Sequence, residues 1–129
     1  MVRIKGICWG GTKVSEEQYE ATAKFFTEVM GFKPYCVQDG AVIFQLPNSD
    51  IFETVSPRQA VELNGIVSGP KIDFLVYDVA ETRREMEKLG VKFEGPIQSN
   101  SDQSWTHFWA PDGHLYGLTD MLGHPDHAV

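Results

Sequence analysis

The order of predicted elements repeats once along the chain, and this repeat limits the fold more than any other feature. A strand-like run from Arg3 to Trp9 leads into a helix that begins after Ser15 and ends at Gly31. A second run from Lys71 to Tyr77 leads into a helix from Asp78 to Gly90. Three further strand-like runs follow each helix. The sequence therefore predicts an α+β chain built from tandem βαβββ modules.

Start and stop signals support both helices. Ser15 with Gln18, and Asp78 with Glu81, form capping-box patterns in which the first side chain caps the helix. A glycine follows the last turn of each helix, where a left-handed residue is expected. The strands predicted after the helices are Lys33 to Gln38, Ala41 to Leu46, Ile51 to Val55, Val91 to Glu94, Ser104 to Trp109 and Leu115 to Thr119.

These boundaries divide a chain of 129 residues, the usual length of one domain, into two modules and a tail. The first module spans about residues 1–56 and the second about residues 71–120, followed by a tail at 121–129. Residues 57–70 contain two prolines and two glycines and are typical of a linker, with room for one helical turn around Arg58 to Leu63.

Charge and composition exclude several classes of partner. The net charge of −7, with no face that collects Lys and Arg, argues against nucleic acid. The N-terminus lacks the apolar core of a signal peptide, and no run reaches the roughly 20 apolar residues of a membrane span. We therefore expect a cytoplasmic protein without a membrane partner, in which Cys8 and Cys36 are free thiols.

Two phrases in the sequence resemble a known superfamily. They are Phe-Phe-Thr-Glu-Val-Met-Gly-Phe at residues 25–32 and Phe-Trp-Ala-Pro-Asp-Gly-His-Leu-Tyr at residues 108–116. Together with the repeated element order, they resemble the vicinal oxygen chelate superfamily of glyoxalases, bleomycin-resistance proteins and extradiol dioxygenases. This resemblance implies a curved, cup-like, mostly antiparallel sheet that holds a small molecule. It also implies a homodimer, which would cover open strand edges and apolar surface.

The resemblance further implies four metal-ligand positions, one in the first and one in the last strand of each module. The motifs transfer them to Gly6, Glu53, Lys71 and Gly117. Glycine has no side-chain donor, and a protonated lysine repels a cation, so only Glu53 could bind a divalent ion. We therefore expect neither a metal nor another cofactor. Burial of Glu53 among apolar walls would suit its carboxylate to general-base catalysis.

Strand alternation predicts which side chains face the cup. In the strand from Lys71 to Tyr77 these are Lys71, Asp73, Leu75 and Tyr77, and in the first strand they include Cys8. Lys71 and Asp73 would form either a pair that orients a ligand or an exposed ion pair.

The face formed by Trp105, His107 and Trp109 suits either of two roles. It would form a wall that stacks a flat ligand, or it would pack against helices or a dimer partner. His107 is a second candidate acid or base, in addition to Glu53. His124 and His127 lie in a tail that we expect to be solvated.

Three functions fit this pattern. The first is a metal-free binder of a small planar or cationic molecule, favoured by the missing ligands, the aromatic wall and the acidic chain. The second is an enzyme of the same superfamily, a lyase, isomerase or dioxygenase, with Glu53 as base or with metal ligands such as Glu53 and His107. The third is a scaffold subunit whose cup is filled by its own side chains.

Overall fold

The computed structural model describes residues 2–59 and 69–127, with the side chains of residues 72–127 in the second range. The described helices are α1 (Glu16–Lys24), a π-helical turn (Phe25–Val29) and α2 (Val79–Lys88). The strands are β1 (Gly6–Lys13), β2 (Lys33–Gln38), β3 (Ala41–Gln45), β4 (Ile51–Val55), β5 (Gly69–Leu75), β6 (Phe93–Ser99), β7 (Gln103–Trp109) and β8 (Leu115–Met121). The predicted α+β class and both βαβββ modules are confirmed. The helical turn predicted at 58–63 falls largely outside the described residues.

The chain divides into two compact units. The N-terminal unit is Trp9–Lys71, and the C-terminal unit combines Met1–Cys8 with Ile72–Val129. In the N-terminal unit the strand order is β2-β3-β4-β1, in which only β4 and β1 run parallel. In the C-terminal unit the order is β5-β8-β7-β6, in which only β5 and β8 run parallel. The two modules therefore share one topology. Neither α1 nor α2 has the length and apolar character needed to cross a membrane.

An aromatic cluster joins the helix to the sheet in the N-terminal unit. The Phe26 ring centroid lies 4.6 Å from that of Phe52 and 5.6 Å from that of Phe32. Phe44, which is fully buried, completes the cluster. Since Phe44 and Phe52 project from the helix-facing side of β3 and β4, strand alternation sends Ile43 and Glu53 to the opposite side.

The first helix begins where it was predicted, but it differs from its prediction in its cap and in its last turn. It begins after Ser15 as expected, but the Ser15 side chain makes no capping hydrogen bond. After Lys24 the chain widens into the π-helical turn, in which the Met30 amide donates to the Phe25 carbonyl at 3.1 Å. One residue is thereby inserted into the helix before Gly31, which has the expected left-handed conformation with φ of 70°.

The second helix follows its prediction more closely. The carboxylate of Asp78 accepts a hydrogen bond from the Glu81 amide at 3.0 Å, which completes one half of the expected capping box. Beneath α2 lies a core of Val76, Val79 and Leu118, with four partly buried apolar side chains packed around it. The helix-facing side of β5 and β8 is therefore the side of Val76 and Leu118.

Candidate ligand-binding site

One face of the C-terminal unit gathers three of the six predicted ligand-binding residues, Asp73, Trp105 and Trp109, together with His107. Because Val76 and Leu118 face α2, alternation turns their neighbours in the strands to the opposite face. We name this surface the aromatic face. Its residues are Asp73 and Leu75 of β5, Gly117 and Thr119 of β8, and Trp105, His107 and Trp109 of β7. The predicted alternation of β5 and β7 agrees with this arrangement.

A single row crosses the middle of the aromatic face. Asp73 lies directly opposite Gly117 in the parallel pair, and His107 lies opposite Gly117 in the antiparallel pair. Asp73 is buried, with 3% of its surface exposed. A Cβ atom added to Gly117 would overlap the Asp73 carboxylate, so this carboxylate lies over the glycine. The row thus brings a carboxylate towards an imidazole across a strand that has no side chain between them.

The two tryptophans flank this row on β7. Trp105 lies opposite Thr119, and Trp109 lies opposite Leu115, so each indole is two residues from His107 on the same face. The Trp109 Nε1 donates a hydrogen bond to the Glu94 carboxylate at 3.0 Å, which orients that ring. Trp105, His107 and Trp109 are all partly exposed. The face therefore combines two ring surfaces with a polar centre.

Glu53 occupies the equivalent place in the N-terminal unit. It lies directly opposite Gly11, and it is 6% exposed. A Cβ atom added to Gly11 would lie 2.7 Å from the Glu53 Cγ, closer than side chains normally pack. Each unit thus packs one acidic residue against one glycine, through the Cγ and backbone of Glu53 in the N-terminal unit and through the carboxylate of Asp73 in the C-terminal unit. The strands that supply the glycine differ between the units. The glycine is on the first strand of one module and on the last strand of the other.

This pairing corrects the predicted metal positions. The residue beside Glu53 is Gly11 and not Gly6, and the residue beside Gly117 is Asp73 and not Lys71. The corrected set contains two glycines and two carboxylates, one carboxylate in each unit. Zinc sites use three or four protein ligands, and one carboxylate in a unit does not supply them. Among the described residues, no three His, Cys, Asp or Glu side chains are grouped to hold a metal.

Other predicted site residues lie elsewhere. β5 ends at Leu75, so Tyr77 projects from the following bend, where its ring stacks on His127 at 5.6 Å between centroids. Cys8 is buried, but alternation within β1 gives it the side of Gly10, opposite to Gly11. The side chain of Lys71 is outside the described part of the structure. Its predicted pairing with Asp73 therefore stays a prediction.

The prediction of a solvated C-terminal tail holds for Asp126, which is exposed, but is wrong for His124. His124 is 6% exposed, and its Nδ1 accepts a hydrogen bond from the Asp126 amide at 3.0 Å. The Lys5 Nζ donates to the His127 carbonyl at 2.8 Å. The short, polar tail gives no hydrophobic periodicity from which this packing could be read.

The hairpin between β7 and β8 contains an ionisable pair that the sequence did not reveal. The Tyr116 hydroxyl donates to the Asp112 carboxylate at 2.5 Å. This hydrogen bond lowers the pKa of Asp112 and raises the pKa of Tyr116, because it favours the charged carboxylate and the neutral phenol. Asp112 belongs to the predicted turn, and its partner lies four residues along the chain. Turn chemistry alone does not predict that pairing.

Comparison with solved structures identifies the architecture. Methylmalonyl-CoA epimerase from Mycobacterium tuberculosis matches with a TM-score of 0.69 and 14% identity, covering 92% of this chain and 89% of that one. A glyoxalase/bleomycin resistance protein/dioxygenase superfamily member from Vibrio splendidus matches with a TM-score of 0.63 and 15% identity, covering 93% and 99%. The chain has the vicinal oxygen chelate fold.

Other matches agree with the vicinal oxygen chelate fold. A variant methylmalonyl-CoA epimerase from Streptomyces coelicolor matches with a TM-score of 0.67 and 17% identity, covering 95% of this chain and 98% of that one. No protein-family model and no curated protein sequence matches the chain. At such low identities the likeness establishes the vicinal oxygen chelate fold alone, and the reaction or ligand has to be inferred from the site.

Proposed function

We propose that this protein binds a small planar or cationic organic molecule on its aromatic face, without a resident divalent metal. The observation that carries the proposal is the row of Asp73, Gly117 and His107, flanked on the same face by Trp105 and Trp109. Ligand sites commonly combine apolar or aromatic walls with a few convergent polar groups. Here the row supplies the polar groups, and Trp105 and Trp109 supply the aromatic walls.

The charge of the site favours a cation. A buried carboxylate attracts a positively charged group more strongly than an exposed one, because water screens it less. Asp73 is such a group, and indole rings also attract cations through their faces. The chain as a whole carries a formal charge of −7, which adds long-range attraction for a cationic compound. An anionic aromatic compound would be repelled both by the Asp73 carboxylate and by the net negative charge of the chain.

The experiment is a titration that separates the local carboxylate from overall charge. Tryptophan fluorescence is followed as cationic and anionic bicyclic aromatics are added to wild type, Asp73→Asn and Glu28→Gln. Asp73→Asn should weaken cation binding by about tenfold or more, since a hydrogen bond to a charged group contributes about 1.5–3 kcal/mol. Glu28 is exposed on the π-helical turn, so Glu28→Gln changes the net charge equally but should leave binding unchanged.

Two results would contradict the proposal. Preferential binding of the anionic compounds would be one, because the buried carboxylate would then repel the preferred ligand. Equal weakening by Asp73→Asn and Glu28→Gln would be the other, because the effect would come from overall charge. Melting temperatures of both variants are measured alongside, so that unfolding is not mistaken for lost affinity.

A second candidate is an enzyme of the vicinal oxygen chelate superfamily with Glu53 as base. It is favoured by the burial of Glu53, whose Cγ packs against Gly11, and by neighbours that are named epimerases. Exchange of the hydrogen on the carbon next to a carbonyl group for deuterium from D₂O distinguishes this enzyme from a binding protein. It is measured by NMR on test thioesters. Exchange that is lost in Glu53→Gln but kept in Asp73→Asn would favour the enzyme over the binder.

A further inference from the structure

Thr119 is a buried polar residue of the aromatic face, two residues beyond its central row. Only 1% of its surface is exposed, and its hydroxyl has no hydrogen-bond partner within the described part of the chain. The residues directly opposite it are Leu75 and Trp105. Leucine offers no polar group, and an indole offers only a donor. The hydroxyl can therefore still donate a hydrogen bond in this environment.

An unpartnered hydroxyl in the interior has an energetic cost. Burying a polar group without a hydrogen bond costs about 1–3 kcal/mol, and most buried polar groups in proteins avoid this cost. Valine has nearly the same shape and would remove the cost. A threonine at this position is explained if its hydroxyl is used when a ligand is bound.

We infer that Thr119 is the hydrogen-bond anchor that selects the ligand of the aromatic face. This inference rests on the proposed function and adds a chemical class to it. Thr119 is two residues beyond Gly117 on β8, and a strand rises about 3.4 Å per residue, so the two positions are roughly 7 Å apart. The Asp73 carboxylate lies over Gly117. The ligand thus carries its positive charge at one end and a hydroxyl or carbonyl group at the other.

The separation sets the size of the ligand as well. A span of roughly 7 Å along two strand residues matches the length of a fused bicyclic ring and exceeds that of a single six-membered ring. Trp105 is partly exposed and lies directly opposite Thr119, so a ligand that contacts this indole is next to the position of the hydroxyl. The inferred class is a cationic bicyclic aromatic with a polar substituent on the ring distant from its charge.

Isothermal titration calorimetry with two compounds tests this inference. The probes are 4-aminoquinoline and a 4-aminoquinoline that carries a hydroxyl group on its other ring. Wild type should bind the hydroxylated compound about tenfold more tightly. Thr119→Val should abolish this preference by weakening only the hydroxylated compound, because the unsubstituted one makes no hydrogen bond to residue 119.

Thr54→Val is the matched control. Thr54 is also buried with a hydroxyl that has no partner among the described residues, but it lies on the helix-facing side of β4 with Phe52. Its replacement removes the same atoms from the other unit and should leave both affinities unchanged. A loss of the preference in Thr54→Val as well would contradict a specific role for Thr119.

Stability provides a second readout. Without ligand, Thr119→Val should melt at or above the temperature of wild type, since it removes an unpartnered polar group. A clear drop in melting temperature would overturn the inference, because the hydroxyl would then have a structural partner. If both compounds bind wild type equally and Thr119→Val changes neither affinity, only the inference fails. If neither binds wild type, the proposed function fails together with it.

Discussion

Two glycines determine where the buried carboxylates of this protein lie. Neither Gly11 nor Gly117 needs the left-handed conformation; what each supplies is space above the strand. A side chain at Gly117 would displace the Asp73 carboxylate, and one at Gly11 would press on Glu53. A glycine inside a strand weakens that strand, and close approach of another group is a common compensation. Here the approaching group is an acid in both units.

The hydrogen bond between Tyr116 and Asp112 makes the stability of the protein depend on pH. It lowers the pKa of Asp112 in the folded state, so its contribution to stability is present above the ordinary pKa of aspartate. This contribution is lost as the pH falls through the lowered value. The raised pKa of Tyr116 gives the opposite pH dependence. Its contribution to stability is present below the ordinary pKa of about 10 and is lost as the pH rises above it.

Tyr116→Phe should therefore raise the pKa of Asp112 towards its ordinary value. The measurement is the ¹³C chemical shift of the Asp112 carboxyl carbon, followed from neutral to acid pH. Tyr35→Phe, which removes an exposed hydroxyl from β2, is the control and should leave that titration unchanged. If the Asp112 titration is the same in wild type and Tyr116→Phe, the hydrogen bond does not persist in solution.

Among the secondary-structure elements, local sequence signals predicted where the helices begin. They did not predict the missing cap of the first helix or the π-helical turn at its end. Asp78 caps α2 as its pattern predicted, whereas Ser15 stands in the same position before α1 without a capping hydrogen bond. The π-helical turn at Phe25–Val29 has no recognisable sequence signal. Phe26 in this turn packs against Phe44 and Phe52 on strands that are distant in sequence, and periodicity within the helix does not contain that information.

Arg83 is the main polar connection between α2 and the sheet. Its Nη1 donates to the Gly95 carbonyl and to the Thr106 hydroxyl, both at 2.8 Å. The guanidinium also lies 4.8 Å from the centre of the Phe93 ring. Hydrogen bonds from a charged group contribute about 1.5–3 kcal/mol when they are shielded from water, and only 18% of this side chain is exposed. One side chain thus joins one helix to two strands.

Arg83→Ala should lower the free energy of unfolding by about 2 kcal/mol, because it removes these contacts and leaves the Thr106 hydroxyl buried. Urea denaturation followed by circular dichroism measures this change. Arg84→Ala removes an exposed arginine next to it on α2 and should cost about 0.5 kcal/mol or less. Equal losses in the two variants would mean that Arg83 contributes only helix propensity.

For the whole molecule, the repeated element order was sufficient to predict the fold. Errors of a few residues in the strand boundaries, however, gave the wrong neighbours for the site residues. The first strand begins at Gly6 and continues through Gly10 and Gly11 to Lys13, whereas the sequence suggested an end at Trp9. Paired glycines normally interrupt a strand, and the close contact with Glu53 accounts for the glycine at position 11. The metal-ligand position predicted on this strand therefore fell at Gly6, whereas the residue paired with Glu53 is Gly11. Alternation, in contrast, correctly predicted that Trp105, His107 and Trp109 share one face, but it left open whether that face is turned towards the helix.

The metal content of the protein tests the corrected ligand positions. Those positions hold Gly11, Glu53, Asp73 and Gly117, so half of them lack a donor, and each unit supplies a single carboxylate. Zn²⁺ and similar ions are held by three or four protein ligands, often including His or Cys. Isolated carboxylates bind hard cations only weakly compared with the six to eight oxygens of a calcium site.

We therefore expect well under one equivalent of zinc, iron, manganese or nickel after removal of any tag and dialysis. Inductively coupled plasma mass spectrometry on the purified protein measures this content, with the dialysis buffer as the blank. Addition of each ion should leave the melting temperature unchanged, because an ion bound only by the folded state would raise it. A near-stoichiometric metal that survives dialysis would mean that other residues complete a site. It would then favour the enzyme over the metal-free binder.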